Sequence, residues 1–290
     1  MISFYLGWVA LAFSQGLTWE YPDSLAPVAK RFEAEADTIL DEAYDWLGVE
    51  AKAGGMVQLV ASHQGMERVI GHSLPSWFAA VTVPQRHLLI MSTEKAKQEN
   101  VFRVILRHEL AHLAMAAMPP SSWQALPAWF HEGVAQAFAG HTRLGRMNSS
   151  LTWRALFGEI PHLRRYEEGF GMEPLRAADG YSLAHRQVEL LLRSHGPQAV
   201  KELLKKVQQG SNLEQASLDC FGLSLVTLEE QMRDELSSFR SVAAGLVGEL
   251  VTWVLLLALL LIPWVIVRRR RQRRLIEAQW MEESEADEIS

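Results

Sequence analysis

The sequence predicts an α+β fold: a small mixed sheet with one motif-bearing helix, a mainly helical part after it, and a single transmembrane helix at the end. Three observations predict it. Short runs rich in apolar and β-branched residues fall between positions 56 and 91, and apolar residues recur at helical spacing on both sides of them. An apolar stretch from Gly245 to Val267 then stands apart from everything before it. The chain has 290 residues, 49% hydrophobic and 21% charged, which suits one or two domains with some membrane-inserted sequence.

Taken in order, residues 1–16 form a short apolar run with small residues Ser14 and Gly16, the pattern of a secretory signal cleaved after Gly16, although no Lys or Arg precedes it. From Pro27 to Gly48, Val28, Phe32, Ala36, Ile39, Leu40 and Leu47 share one helical face, opposite Lys30, Glu33, Asp37 and Asp41. Gly54-Gly55 breaks the chain, and strands are expected at 56–61, 79–83 and 87–91, with a short helix or loop near Gln64 to Gly71. Pro84-Gln85-Arg86 is the turn between the last two strands.

A helix is expected from near Lys97 to Met118, where Pro119-Pro120 stops it, and another from Pro127 to Gly140. Residues 141–180 read as irregular, broken by Gly145, Pro161, Gly169, Gly171 and Pro174. Helices follow at Tyr181–Ser194, Gln198–Gln208, after the capping signature Ser211-Asn212-Leu213-Glu214, and at Leu225–Leu236.

Gly245 to Val267 would span about 35 Å as a helix, against a hydrocarbon core of about 30 Å. Arg268 to Arg271, Arg273 and Arg274 follow at once, which places that end in the cytoplasm by the positive-inside rule. The expected protein is therefore single-pass in the cell membrane, with residues 17–242 periplasmic or extracellular. The tail at 268–290 turns from basic to acidic and reads as disordered. A net charge of -6 argues against a general nucleic-acid binder. The lone Cys220 excludes an intrachain disulfide and a thiolate zinc cluster, and reads as a small buried hydrophobe.

The chemistry sits in the first long helix after the strands. His108-Glu109-Leu110-Ala111-His112 is an H-E-x-x-H string. Residues i and i+4 stack on one helix face, so both imidazoles can grip one Zn2+ ion, with Glu109 beside a zinc-activated water as general base. A chain with 10 His and 26 Glu would produce the string by accident roughly 0.03 times. The bland alternative is two histidines on a half-buried face with Glu109 in solvent. A catalytic zinc needs a third protein ligand. A His six residues after His112 would make a metzincin, but position 118 is Met118. Glu132 completes a His₂Glu set; its neighbour His131 is the rival, about 100° round the helix.

The motif helix followed by Leu126-Pro127-Ala128-Trp129-Phe130-His131-Glu132-Gly133-Val134-Ala135 resembles the gluzincin metallopeptidases, and among them the peptidase-MA-like domains of bacterial membrane or exported proteins. The resemblance covers about residues 25–240. It implies a zincin-like metallopeptidase fold, His108, His112 and Glu132 as zinc ligands, and Glu109 as the base. It also implies an oxyanion-stabilising Tyr or His from the later helices, for which Tyr181 and His185 fit by position, and a strand at 87–91 that pairs with an extended peptide or protein substrate. Gln136 departs from the pattern, since many relatives carry an acidic residue there that would orient a ligand.

The expected function is a membrane-anchored zinc-dependent peptidase. The alternative is a catalytically silent domain acting as a membrane-tethered binding or assembly factor, which an intact Glu109 disfavours. A scaffold for a cytoplasmic partner would rest on the charge runs alone. Oligomeric state is not legible.

Overall fold

The computed structural model describes residues 16–95, 97–140, 154–155, 158–167 and 174–238, with scattered positions from 255 to 269. Four strands form one sheet: β1 (Leu17–Glu20), β2 (Gly55–Val60), β3 (Ala80–Val83) and β4 (Leu88–Ser92). Their order is β1-β2-β4-β3, with β1, β2 and β4 mutually parallel and β3 antiparallel to β4. The sheet is thus mixed. β4 is buried along its whole length, as an interior strand covered on both faces must be.

Helices cover the two faces. α1 (Ala26–Leu47) and α3 (Glu99–Ala116) pack on one of them, where Phe32 and Phe102 stack with ring centroids 4.4 Å apart. Val57, Leu59, Leu89 and Met91 join this main core. α2 (His63–Ile70) covers the other face, where Met66 meets Leu88 and Ile90, with Val81 and Val83 packed alongside. α1 ends because Gly48 takes a left-handed φ of 67°, which costs a residue with a Cβ and not glycine. Arg103 pairs with Glu35 and Glu99, and Arg107 reaches Glu42 at 3.0 Å, so polar links flank the α1–α3 seam.

After α3 the described residues are mainly helical. A short α4 (Pro120–Gln124) follows the Pro-Pro break, then α5 (Ala128–Ala139), α6 (Pro174–His195), α7 (Ala199–Gln208), α8 (Leu213–Phe221) and α9 (residues 225–238). α5 packs between α3 and α6. Phe130, Val134 and Phe138 form its buried face, and Trp129 is partly buried. Asn212 caps α8 by accepting a hydrogen bond from the Gln215 amide at 2.8 Å. Cys220 is half-buried against the main core.

The chain divides into two compact units, residues 1–236 and 237–290. In the second, Leu255, Leu257, Leu259, Leu261, Ile262 and Trp264 are helical and exposed. The predicted fold class is corrected in one respect: among the described residues no helix is long and apolar enough to cross a membrane. The two 22-residue helices have the length but carry charge at intervals throughout, such as Lys30, Glu33, Asp37 and Asp41 in α1 and Arg176, Asp179, Arg186 and Glu189 in α6. Most of the expected span at 245–267, the leader at 1–15 and the tail beyond 269 lie outside the described residues.

Candidate metal centre

His108, Glu109 and His112 lie in the middle of α3, whose Leu106, Leu110 and Leu113 are fully buried in the core. The core side of the helix is therefore fixed, and the two histidines emerge on the flank next to α5. Their Nε2 atoms are 3.1 Å apart, and the rings meet edge to face at 77°. Glu132, in the second turn of α5, brings Oε2 to 3.4 Å from His108 Nε2 and 3.6 Å from His112 Nε2. The three side chains keep 14%, 11% and 19% of their surface exposed, so they form the floor of an accessible site.

The donor set fits a small divalent cation. Three ligands at tetrahedral angles around zinc, with bonds of about 2.05 Å, stand about 3.3 Å from one another. The observed triangle of 3.1, 3.4 and 3.6 Å brackets that value. Two imidazole nitrogens and an anionic oxygen converge here, and Glu132 Oε2 is buried with no hydrogen bond. Burial alone would raise the Glu132 pKa, but the two imidazoles outweigh it and hold the carboxyl well below its ordinary range. Burial alone would lower His112, and the Glu132 charge outweighs it in the other direction.

His131, the rival ligand, points elsewhere. Its Nε2 donates to the Trp123 carbonyl at 3.2 Å, and its ring lies 3.8 Å from the Trp123 ring centroid. Burial, then the charge of His112, pushes its pKa down to about 4. His108, His112 and Glu132 are the residues that come together.

Glu109 is 8% exposed and held from the sheet. Thr82 of β3 donates its hydroxyl to Glu109 Oε2 at 2.7 Å and lies 3.2 Å from the Glu109 carbonyl oxygen. Sequence reasoning missed Thr82, because nothing local ties a strand threonine to a helix residue 27 positions later. The strand at 87–91, expected to pair with an extended substrate, is corrected by the sheet order: β4 lies between β2 and β3, and β3 is the edge strand beside Glu109.

Tyr181 and His185 sit one turn apart on α6. Burial raises the Tyr181 phenol well above its ordinary value, and the Glu132 and Glu109 charges raise it further, so it stands in the field of both site carboxylates. His185 is lowered by burial, and its charged neighbours are Glu189 and Arg186 instead. Gln136 is fully buried and donates to the Tyr181 carbonyl at 3.0 Å, which ties α5 to α6 rather than orienting a ligand.

Gly133 explains how Glu132 reaches the histidines. A Cβ there would stand 2.4 Å from the Ala184 carbonyl oxygen and 2.8 Å from Val188 Cγ2. Only glycine lets α5 come this close to α6. The Ala128 amide at the start of α5 donates to Glu167 at 2.9 Å, which further fixes the helix.

A family model, that of the Peptidase MA superfamily, matches residues 47–238. No curated protein matches the chain.

Proposed function

The chain belongs to the Peptidase MA superfamily, and on that premise we propose that it is a zinc-dependent peptidase of the gluzincin type, with His108, His112 and Glu132 as ligands and Glu109 as general base. The observation that carries the reading is the donor triangle of 3.1, 3.4 and 3.6 Å with Glu109 on the same helix. A zinc ion held there supplies Lewis acidity toward a scissile carbonyl and lowers the pKa of a water toward about 7.

The chain's own groups do the rest. Thr82 occupies Glu109 Oε2, which leaves Oε1 to take the proton of the attacking water and pass it to the leaving amine. The Tyr181 phenol is protonated at neutral pH, as any unperturbed tyrosine is, and its pKa is shifted further upward, so it can donate to a developing oxyanion. The edge strand β3 is suited to pair with an extended peptide and present it to Glu109.

The test uses the purified full chain, wild type against Glu109→Gln. The expected result is about one zinc per chain in both forms, with peptide hydrolysis only in the wild type. A wild type that binds no stoichiometric zinc sinks the metal reading. Zinc binding with both forms equally inert on broad peptide mixtures favours the silent binding domain.

A further inference from the structure

Edge strand β3 borders a cavity of about 360 Å³. Its aliphatic residues Ile70, Leu74, Val81 and Val83 belong to the face of the sheet opposite the metal centre, and Thr82 at the strand edge also lines it. Val81 and Val83 pack with Met66, Leu88 and Ile90 on that face, whereas the Thr82 hydroxyl between them points to Glu109. The cavity and the catalytic cluster therefore flank the same strand edge from its two sides.

The register says which backbone groups face that edge. Ser92 donates to the Ala79 carbonyl at 2.8 Å, and the ladder continues as Val81 opposite Ile90 and Val83 opposite Leu88. In an antiparallel pair, hydrogen-bonded and non-bonded positions alternate. Ala80 and Thr82 thus turn their peptide groups outward. A strand added there alternates its side chains between the two faces, with same-face neighbours two residues apart. Every second side chain falls on the cavity side.

The lining sets the chemistry. Aliphatic Ile70, Leu74, Val81 and Val83 share it with His72, Thr82, Gln85 and Arg86, and it holds no Asp or Glu. Arg86, in the turn that follows β3, is exposed and makes no ion pair among the described residues.

We propose that this cavity is a specificity subsite for the same peptidase site, receiving an apolar substrate side chain while an acidic side chain two residues away pairs with Arg86. The proposal rests on the peptidase reading for its role and on β3 pairing for its geometry. The preferred substrates are extended segments with an apolar-x-acidic or acidic-x-apolar pattern. Side chains at the intervening position face Glu109 and are chosen by the other side of the cleft.

Two experiments on the full chain test it. In the first, cleavage sites in a random peptide mixture are mapped by mass spectrometry for wild type and Arg86→Glu. The wild type should favour acidic over neutral residues at that position by roughly threefold, and the variant should move the acidic-to-basic ratio about tenfold toward basic. In the second, labelled peptides are titrated onto the Glu109→Gln chain, with and without Arg86→Glu. Replacing the apolar residue by Ala should weaken binding about tenfold, and replacing the acid should matter only while Arg86 is present. An unchanged acidic-to-basic ratio, binding indifferent to both peptide positions, or no peptide binding at all overturns the subsite. If the zinc-loaded wild type cleaves nothing, the peptidase reading fails, and the binding titration still decides the subsite.

Discussion

Gly133→Ala is the most informative single change away from the proposed ligands themselves. In an ordinary helix interior this substitution stabilises by about 0.5–1 kcal/mol, because alanine loses less backbone entropy. Here the new methyl would sit 2.4 Å from the Ala184 carbonyl oxygen and 2.9 Å from its carbonyl carbon. Both atoms are α6 backbone, which cannot rotate away as a side-chain tip would. An ordinary contact needs about 3.5 Å, so α5 must retreat from α6 by about 1 Å. Overpacking of this kind costs about 1–3 kcal/mol, which exceeds the propensity gain. The retreat also carries Glu132, now 3.4 and 3.6 Å from the two Nε2 atoms, out of register with α3. The variant should unfold at lower urea and bind zinc more weakly than wild type. Adding Val188→Ala removes the side-chain part of the clash at 2.8 Å and should restore only a fraction of either loss. Equilibrium unfolding with and without chelator, beside a competitive zinc titration, measures both. A variant as stable as wild type, or more so, with unchanged zinc affinity refutes the argument that Gly133 sets the position of Glu132.

Thr82→Val should lower kcat by about tenfold or more with KM little changed, since a hydrogen bond to a charged group contributes about 1.5–3 kcal/mol; Thr82→Ser should restore most of it, and a valine variant with wild-type kcat would remove Thr82 from the mechanism. His131 gives a pH prediction. Its folded pKa of about 4 lies below the unfolded value near 6.5, so the neutral form is favoured in the folded state. Stability is full above that unfolded value and falls as the pH drops toward the folded one, by about 2 kcal/mol at pH 5. His131→Gln keeps a donor for the Trp123 carbonyl and cannot titrate, so its stability relative to wild type should rise between pH 7 and pH 5; parallel urea titrations that show a constant difference would count against this account.

The elements with a strong local signal were legible in the sequence. α1, α3 and α5 fall within a few residues of their apolar periodicities, and β2, β3 and β4 within one, whereas the segment near Gln64 to Gly71, left open between helix and loop, is helix α2. β1 was not, because Leu17–Glu20 is four residues long and abuts an apolar run that reads as a leader. α6 begins at Pro174 and not near Tyr181, since a proline that looks like a breaker also suits a helix start, where its missing amide costs nothing. The strand at 87–91 was given the edge position, yet an unbroken apolar run is the mark of an interior strand. The alternating Ala80-Val81-Thr82-Val83 was the edge, with one face for each set of neighbours.

The site divides along the same line. His108, Glu109 and His112 share one helix, where spacing alone fixes geometry, so their arrangement follows from the string. Glu132 belongs to a second helix, and preferring it to His131 needed the family pattern; in the fold Glu132 stands beside the two imidazoles, while Trp123 takes the His131 ring and its Nε2 proton. Thr82 carried no functional signal in the chain and Gly133 only its place in the family pattern, because each acts across a contact between elements. Thr82 joins the sheet edge to Glu109, and Gly133 lets α5 approach α6 so that a carboxylate arrives opposite two imidazoles. That division predicts how the two kinds of residue fail. Loss of Glu109 should remove turnover and leave zinc and stability intact, whereas loss of the Gly133 contact should move all three together, because the position of the carboxylate and the packing of α5 are one structural fact.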